Sequence, residues 1–319
     1  MNWTEETLRS TLAQPDFTSV YEQADILRRE RKGEEIQIRA LLEFSNYCKR
    51  QCRYCGLNAK NARLTRFRLE PAEIVETALA AAEAGYHTIV LQSGEDGWFT
   101  PEIIGEIVQA IKPSGMAVTL SCGEHPEEVY RYWKECGADR YLLKHETADP
   151  DLYRQLHPDA WLKDRVSCQK NLKRMGYETG GGFMVGLPGQ TLDTLAQDLL
   201  LLREVGCDMA GIGPFLPNPD TSLGSYPHGS AEMTRRAVAL ARLLLPDANL
   251  PATTALGVLE PEAKRSVFSC GANVVMQKVT PNRVKRFYEI YPSELKDSDI
   301  SSGRTQIEEE IRRLGRVPV

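Results

Sequence analysis

The chain has 319 residues, 42 % of them hydrophobic, and a net charge of −5. That length can bury a large core, and an α/β barrel of this size forms one domain as readily as two. No apolar run reaches the roughly 18 residues of a membrane span, and the dispersed Lys and Arg argue against nucleic acid as the main partner.

Residues 1–35 read as two polar helices split around Pro15-Asp16 and packed outside the main body. The opening Met1-Asn-Trp-Thr-Glu-Glu is acidic and carries no charged-then-apolar signal pattern. A cytoplasmic location is therefore expected, where thiols stay reduced, so the eight cysteines are not counted as disulfides. Next comes an apolar strand, Ile38-Arg-Ala-Leu-Leu-Glu-Phe44, and then Cys48-Lys-Arg-Gln-Cys52-Arg-Tyr-Cys55.

Three thiolates on one short loop are one short of a closed site. Iron–sulfur cubanes are normally held by four cysteines, so three leave an iron with an open position for a small molecule. A structural zinc would need a fourth Cys or His at compatible spacing. A thioredoxin-like pair, Cys52-Arg-Tyr-Cys55, leaves Cys48 unused. The remaining Cys122, Cys136, Cys168, Cys207 and Cys270 are scattered singly and read as small buried hydrophobes. With Tyr54 directly before the last cysteine, the spacing resembles the signature of the radical S-adenosylmethionine (radical SAM) enzymes.

From about Ile36 one rhythm repeats: a β-rich run, polar or glycine residues, then an amphipathic helix closing on glycine. Helix ends are read at Ala84-Gly85, Ser114-Gly115, Cys136-Gly137, Met175-Gly176 and Val205-Gly206. The later strands are His87–Leu91, Ala117–Leu120, Arg140–Leu143, Gly182–Val185, Met209–Ile212, Leu250–Thr254 and Asn273–Met276. With the first strand that makes eight, and strand–helix alternation predicts a parallel sheet closed into a (β/α)₈ TIM-type barrel. An open doubly wound sheet is the alternative. The expected organisation is an N-terminal helical extension over 1–35, the barrel over 36–292, and a C-terminal helix (Gln306–Leu314) with an exposed tail over 293–319.

Active-site groups of such a barrel lie at the C-terminal strand ends. These ends carry Ser45 and Asn46; Gln92, Glu95 and Asp96; Thr119 and Ser121; Lys144, His145, Glu146 and Thr147; Gly-rich flanks around 180–189; and Thr253 and Thr254. Singly, a glutamate is an ordinary cap or solvated charge, a histidine a satisfied structural group, and a threonine a β-branched strand residue. Their shared end of one barrel is what points to a site.

Segments Leu42–Cys48, Val90–Asp96, Asp139–Thr147, Gly182–Gln190, Gly211–Phe215 and Pro251–Ala255, in order over about 36–292, resemble the HydE family of FeFe-hydrogenase maturases. Biotin synthase and methylornithine synthase share the broader pattern. The resemblance implies one 4Fe–4S cluster on Cys48, Cys52 and Cys55, and S-adenosylmethionine (SAM) among Tyr54, Gln92, Glu95, Ser121, Glu146, Arg165 and Ile212. It implies substrate contacts at Thr119, Arg140, Lys144, Thr253, Thr254, Met276, Tyr288 and Tyr291. The implied reaction is reductive SAM cleavage to a 5′-deoxyadenosyl radical. That radical would act on a small cysteine-bearing iron–CO–cyanide substrate in assembly of the hydrogenase H-cluster. Implied partners are other hydrogenase maturases and an electron donor in transient contact, with no nucleic acid and no membrane.

Three positions depart from that pattern. Lys144 stands where arginine is usual, and lysine lacks the planar fork for bidentate anion binding. Gln277-Lys278 replaces a Pro-Asn pair, and no cysteine follows Cys270 to hold an accessory cluster. Two rival readings therefore stand beside the maturase: a radical SAM enzyme acting on an amino acid or other small metabolite, and a non-catalytic scaffold that delivers clusters.

Overall fold

The computed structural model describes residues 3–293 and 298–319. Its strands are β1 (Glu35–Ser45), β2 (Thr88–Ser93), β3 (Ala117–Ser121), β4 (Arg140–Leu142), β5 (Glu178–Gly181), β6 (Met184–Val185), β7 (Met209–Ala210), β8 (Gly213–Pro214), β9 (Pro251–Ala252), β10 (Val274–Lys278) and β11 (Val317–Pro318). The main sheet runs β7-β5-β4-β3-β2-β1-β10-β9, with every neighbouring pair parallel. Its ends meet through a bridge between Met209 and Asn249, where the Ala210 N–H reaches the Asn249 carbonyl at 3.0 Å and the Asn249 N–H reaches that of Asp208 at 2.8 Å. Eight strands thus close into a parallel barrel.

Period-two alternation sorts each strand between two environments. On β1 the residues Ile36, Ile38, Ala40, Leu42 and Phe44 join the core shared with the helices, while Arg39, Leu41 and Glu43 point into the barrel. On β2 and β3 the outward residues are Ile89, Leu91, Val118 and Leu120. Burying both faces is what makes these strands read as nearly unbroken apolar runs.

All five anticipated glycines past helix ends have positive φ, from 70° at Gly206 to 107° at Gly137. The N-terminal helices span Glu5–Leu12 and Thr18–Lys32, the first opened by a reciprocal Thr4–Thr7 capping box.

Several strand bounds move. The barrel strand β5 ends at Gly181, before the run expected over Gly182–Val185, which holds only the short β6 from Met184. The Met209–Ile212 run holds only β7, which stops at Ala210; β8 follows it at Gly213–Pro214, and β6 pairs only with β8. Gly182 (φ 152°) makes the break, because a Cβ there would stand 2.2 Å from the Gly211 carbonyl oxygen. Two short strands thereby continue above the barrel rim. Thr253 and Thr254 are not strand residues: Thr253 caps the helix that Thr254 begins. The C-terminal helix spans Ile300–Arg313, and β11 then pairs with Glu35 and Ile36 of β1 instead of trailing free. No described helix is long and apolar enough to cross a membrane.

Candidate active site

The cysteine loop leaves β1 at Ser45 and is tied down by charge and amide contacts. Asp96 accepts from Ser45 Oγ at 2.6 Å and from Arg68 Nε and Nη2 at 2.7 and 2.9 Å. Arg66 donates to the carbonyls of Leu57 (2.8 Å) and Asn58 (2.7 Å), and Asn46 donates to those of Thr65 (2.8 Å) and Phe287 (2.7 Å). Gly94 lies against the start of the loop, where a Cβ would meet the Tyr47 carbonyl oxygen at 2.2 Å. These contacts hold Cys48, Cys52 and Cys55 half-buried, free of disulfides and at the barrel's C-terminal end.

The donor set fits a cubane. Among the described residues no group of His, Cys, Asp or Glu converges on a single-ion position. Backbone N–H groups instead meet the sulfurs: that of Glu95 lies 3.4 Å from Cys48 Sγ, that of Arg50 also reaches Cys48, and that of Leu57 reaches Cys55. Such donors stabilise thiolate sulfur. Burial pushes the Cys55 thiol up to about 12, with Cys48 and Glu146 adding to it. The bare loop is thus protonated, and metal must displace those protons.

Tyr54 points inward from the loop. Its hydroxyl donates to His157 Nε2 at 3.1 Å, because His157 Nδ1 is engaged with the Tyr153 carbonyl at 3.1 Å. Burial, then the nearby Arg165 charge, hold His157 down at about 3, so it stays neutral and can accept. Sequence reading missed this partner, which lies 103 residues away.

Beside Tyr54 and Cys55 opens a cavity of about 300 Å³ inside the barrel. Leu41, Leu142, Met209 and Met276 give it an apolar lower wall. Gln92, Lys144, Glu146, Thr253, Thr254, Tyr288 and Tyr291 line it above, so the structure gathers most of the expected residues. Lys144 Nζ lies 3.2 Å from Glu146 Oε2. Glu146 has φ 66° and is the one non-glycine with positive φ among the described residues. Gln92 Nε2 donates to the Tyr288 hydroxyl at 3.2 Å.

Arg165 Nε lies 2.5 Å from Glu124 Oε1, and Glu124 Oε2 lies 2.8 Å from Arg50. Arg50 Nε in turn lies 2.7 Å from Glu95 Oε2, while Glu95 Oε1 accepts the Glu124 N–H at 3.0 Å. Glu95 is therefore a fastener between the cysteine loop and the rim, outside the cavity lining. Ser121 ends β3 beside Gln92, its register partner. The Ile212 side chain belongs to the core, between cavity residues Gly211 and Gly213.

Two expected substrate contacts lie elsewhere. Arg140 begins β4, and its guanidinium reaches Glu178 Oε2 (2.6 Å) and Thr88 Oγ1 (2.9 Å), which begin β5 and β2. It therefore sits at the N-terminal mouth, opposite the cysteine loop. Thr119 is buried one strand over, with Oγ1 unpartnered and outside the cavity lining. Conversely, Glu43 and Lys278 line the cavity as an ion pair that was not anticipated as a site. The available signal was a charged residue inside each of two apolar strand runs.

Comparison with known proteins agrees with this geometry. Residues 42–202 match the model of the radical SAM superfamily. The [FeFe] hydrogenase maturase subunit HydE of Thermotoga maritima is 50 % identical over 296 residues, covering 92 % of this chain and 85 % of that protein. The 3-methylornithine synthase of Methanosarcina acetivorans is 30 % identical over 271 residues, covering 84 % and 76 %. The crystal structure of methylornithine synthase (PylB) superposes with a TM-score of 0.88 at 26 % identity, over 100 % of this chain and 95 % of that one. An open three-cysteine loop on a closed parallel barrel, with these relatives, makes the chain a radical SAM enzyme that uses a 4Fe–4S cluster and SAM, and a member of the HydE family.

Proposed function

We propose that the protein acts in assembly of the FeFe-hydrogenase H-cluster, on a small cysteine-bearing iron–CO–cyanide substrate. The 50 % identity to the Thermotoga maritima maturase carries this reading. The enclosed cavity directly beside Tyr54 and Cys55 supports it. Cys48, Cys52 and Cys55 would hold the 4Fe–4S cluster. When bound, cluster and SAM together supply a 5′-deoxyadenosyl radical. Tyr54, Gln92, Glu146 and Arg165, with Ser121 and the Ile212 backbone, would surround SAM. Lys144, Thr253, Thr254, Met276, Tyr288 and Tyr291 would line the substrate's side. This chain's residues orient both molecules, and the lumen keeps water from a species that would abstract hydrogen indiscriminately.

Anaerobically reconstituted protein should form 5′-deoxyadenosine from SAM and dithionite and activate apo-hydrogenase when combined with the other maturases. Each of Cys48→Ser, Cys52→Ser and Cys55→Ser should abolish both. Deoxyadenosine without hydrogenase activation would remove the maturase role and keep the radical enzyme.

A second reading, an amino acid substrate, is favoured by the likeness to methylornithine synthase and by lysine at positions 144 and 278. Deuterium transfer from a labelled amino acid into deoxyadenosine would establish it.

A further inference from the structure

On the cavity wall where β10 meets β1, Glu43 Oε1 lies 2.8 Å from Lys278 Nζ. The Thr280 hydroxyl accepts the Glu43 N–H at 2.9 Å and faces Glu43 Oε2 at 3.3 Å. Lys285 contributes positive charge nearby, and Tyr288 and Tyr291 both feel the Glu43 carboxylate. The carboxylate is 3 % exposed and the ammonium 15 %, and both line the cavity.

Fold stability does not call for this pair. A buried ion pair is commonly no more stabilising than apolar residues of the same volume. The strands it bridges are already paired over five register positions, from Gln37–Val274 to Leu41–Lys278. The lumen wall below is apolar, with Leu41 and Met276. A charge pair held open to a small cavity is instead a preformed contact for a ligand of matching charges.

From this we infer that Glu43 and Lys278 form a subsite for the α-amino-acid end of the substrate, Glu43 taking the ammonium and Lys278 the carboxylate. The inference rests on the proposed function, deepening it by naming the part of a cysteine-bearing substrate that the wall recognises. Entry of a zwitterion exchanges one ion pair for two and adds no net charge to a low-dielectric lumen. A ligand bearing only one of the charges must instead compete with the resident partner and leave net charge behind. Selection is therefore for both charges together. Glu146, beside the rim network of Arg165 and Glu124, remains for SAM, and its partner Lys144 faces the substrate's side.

The test is calorimetric titration of reconstituted, SAM-loaded protein with three probes: L-cysteine, cysteamine (no carboxylate) and 3-mercaptopropionate (no ammonium). Wild type should bind L-cysteine about tenfold more tightly than either analogue. Lys278→Met should weaken L-cysteine about tenfold and move cysteamine to the top, since Glu43 is left free for a cation. Glu43→Gln should move 3-mercaptopropionate to the top. The neutral double variant Glu43→Gln/Lys278→Met, free of unpaired buried charge, should lose discrimination while retaining the cluster's visible absorbance. A purely structural pair predicts no such exchange of order. Equal binding of the three probes by wild type, no measurable binding of L-cysteine, or an unchanged order in the single variants overturns the subsite. Hydrogenase activation is scored separately, so failure of the maturase reading is distinguishable from failure of the subsite.

Discussion

Glu146 combines a carboxylate in the cavity wall with a backbone that its side chain disfavours. At φ 66° a Cβ crowds the following carbonyl, yet the turn is held because the Glu146 N–H meets the Gly182 carbonyl at 3.0 Å and its own carbonyl accepts the Met184 N–H at 3.1 Å. Strained residues of this kind cluster at active sites and ligand clamps. Glu146→Gly and Glu146→Ala lose the carboxylate equally, and both should fail to form deoxyadenosine. The glycine variant should nonetheless be more stable than the alanine variant by about 1 kcal/mol, the reverse of the usual order. Unfolding midpoints of the pair check this. Glu146 was recognisable as a rim residue by its place after a strand. Its left-handed backbone was not, because it is held by hydrogen bonds to Gly182 and Met184, at the break between β5 and β6. The same applies to Arg140: its strand could be read from its own neighbours, whereas which mouth of the barrel it faces depends on where that strand begins.

At the scale of elements, local chemistry predicted helices better than strands. Helix ends are written within a few residues, as the positive φ of Gly85, Gly115, Gly137, Gly176 and Gly206 illustrates. Strand limits depend on a neighbour, and β5 and β7 stop where Gly182 and Gly211 approach each other. The C-terminal strand is the clearest case. Val317-Pro318 carries no strand signal of its own, yet β1 has an open edge there. The Val317 N–H reaches Glu34 O at 3.0 Å, the Val319 N–H reaches Ile36 O at 3.0 Å, and the Ile38 N–H reaches Val319 O at 2.7 Å. Removing residues 317–319 should destabilise the protein by about 3 kcal/mol, at roughly 1 kcal/mol per lost bond. Deoxyadenosine formation should persist, because β11 pairs at the N-terminal mouth. Loss of the reaction in a folded truncation would show that this edge supports the rim.

For the molecule as a whole, burial of ionisable groups in the barrel and the helices around it makes stability depend on pH. His157, held neutral with a pKa of about 3 by burial and then by Arg165, has an unfolded value of about 6.5. Below that value the unfolded chain takes up a proton that the folded protein does not, so stability falls as pH falls toward 3. Buried Glu43 and Asp198, both pushed upward chiefly by burial, contribute with the opposite sign. The informative measurement is therefore a difference. Between pH 6.5 and 5.5 wild type should lose about 1 kcal/mol relative to His157→Gln, which accepts the Tyr54 hydroxyl without titrating. Parallel midpoints for the two proteins would place the proton elsewhere.

The sequence by itself determined the open three-thiolate loop, the strand–helix rhythm and the residues at most strand tops. These are local patterns: a spacing of donors, a period of two or about 3.6, a glycine past a helix end. Only the tertiary structure decided which polar residues share one cavity. It sent Arg140 to the opposite mouth, set Glu95 to fastening the loop, joined Tyr54 to His157, and brought Glu43 and Lys278 together across 235 positions of chain. Those outcomes depend on barrel closure and inter-strand register, which arise from pairings between distant segments.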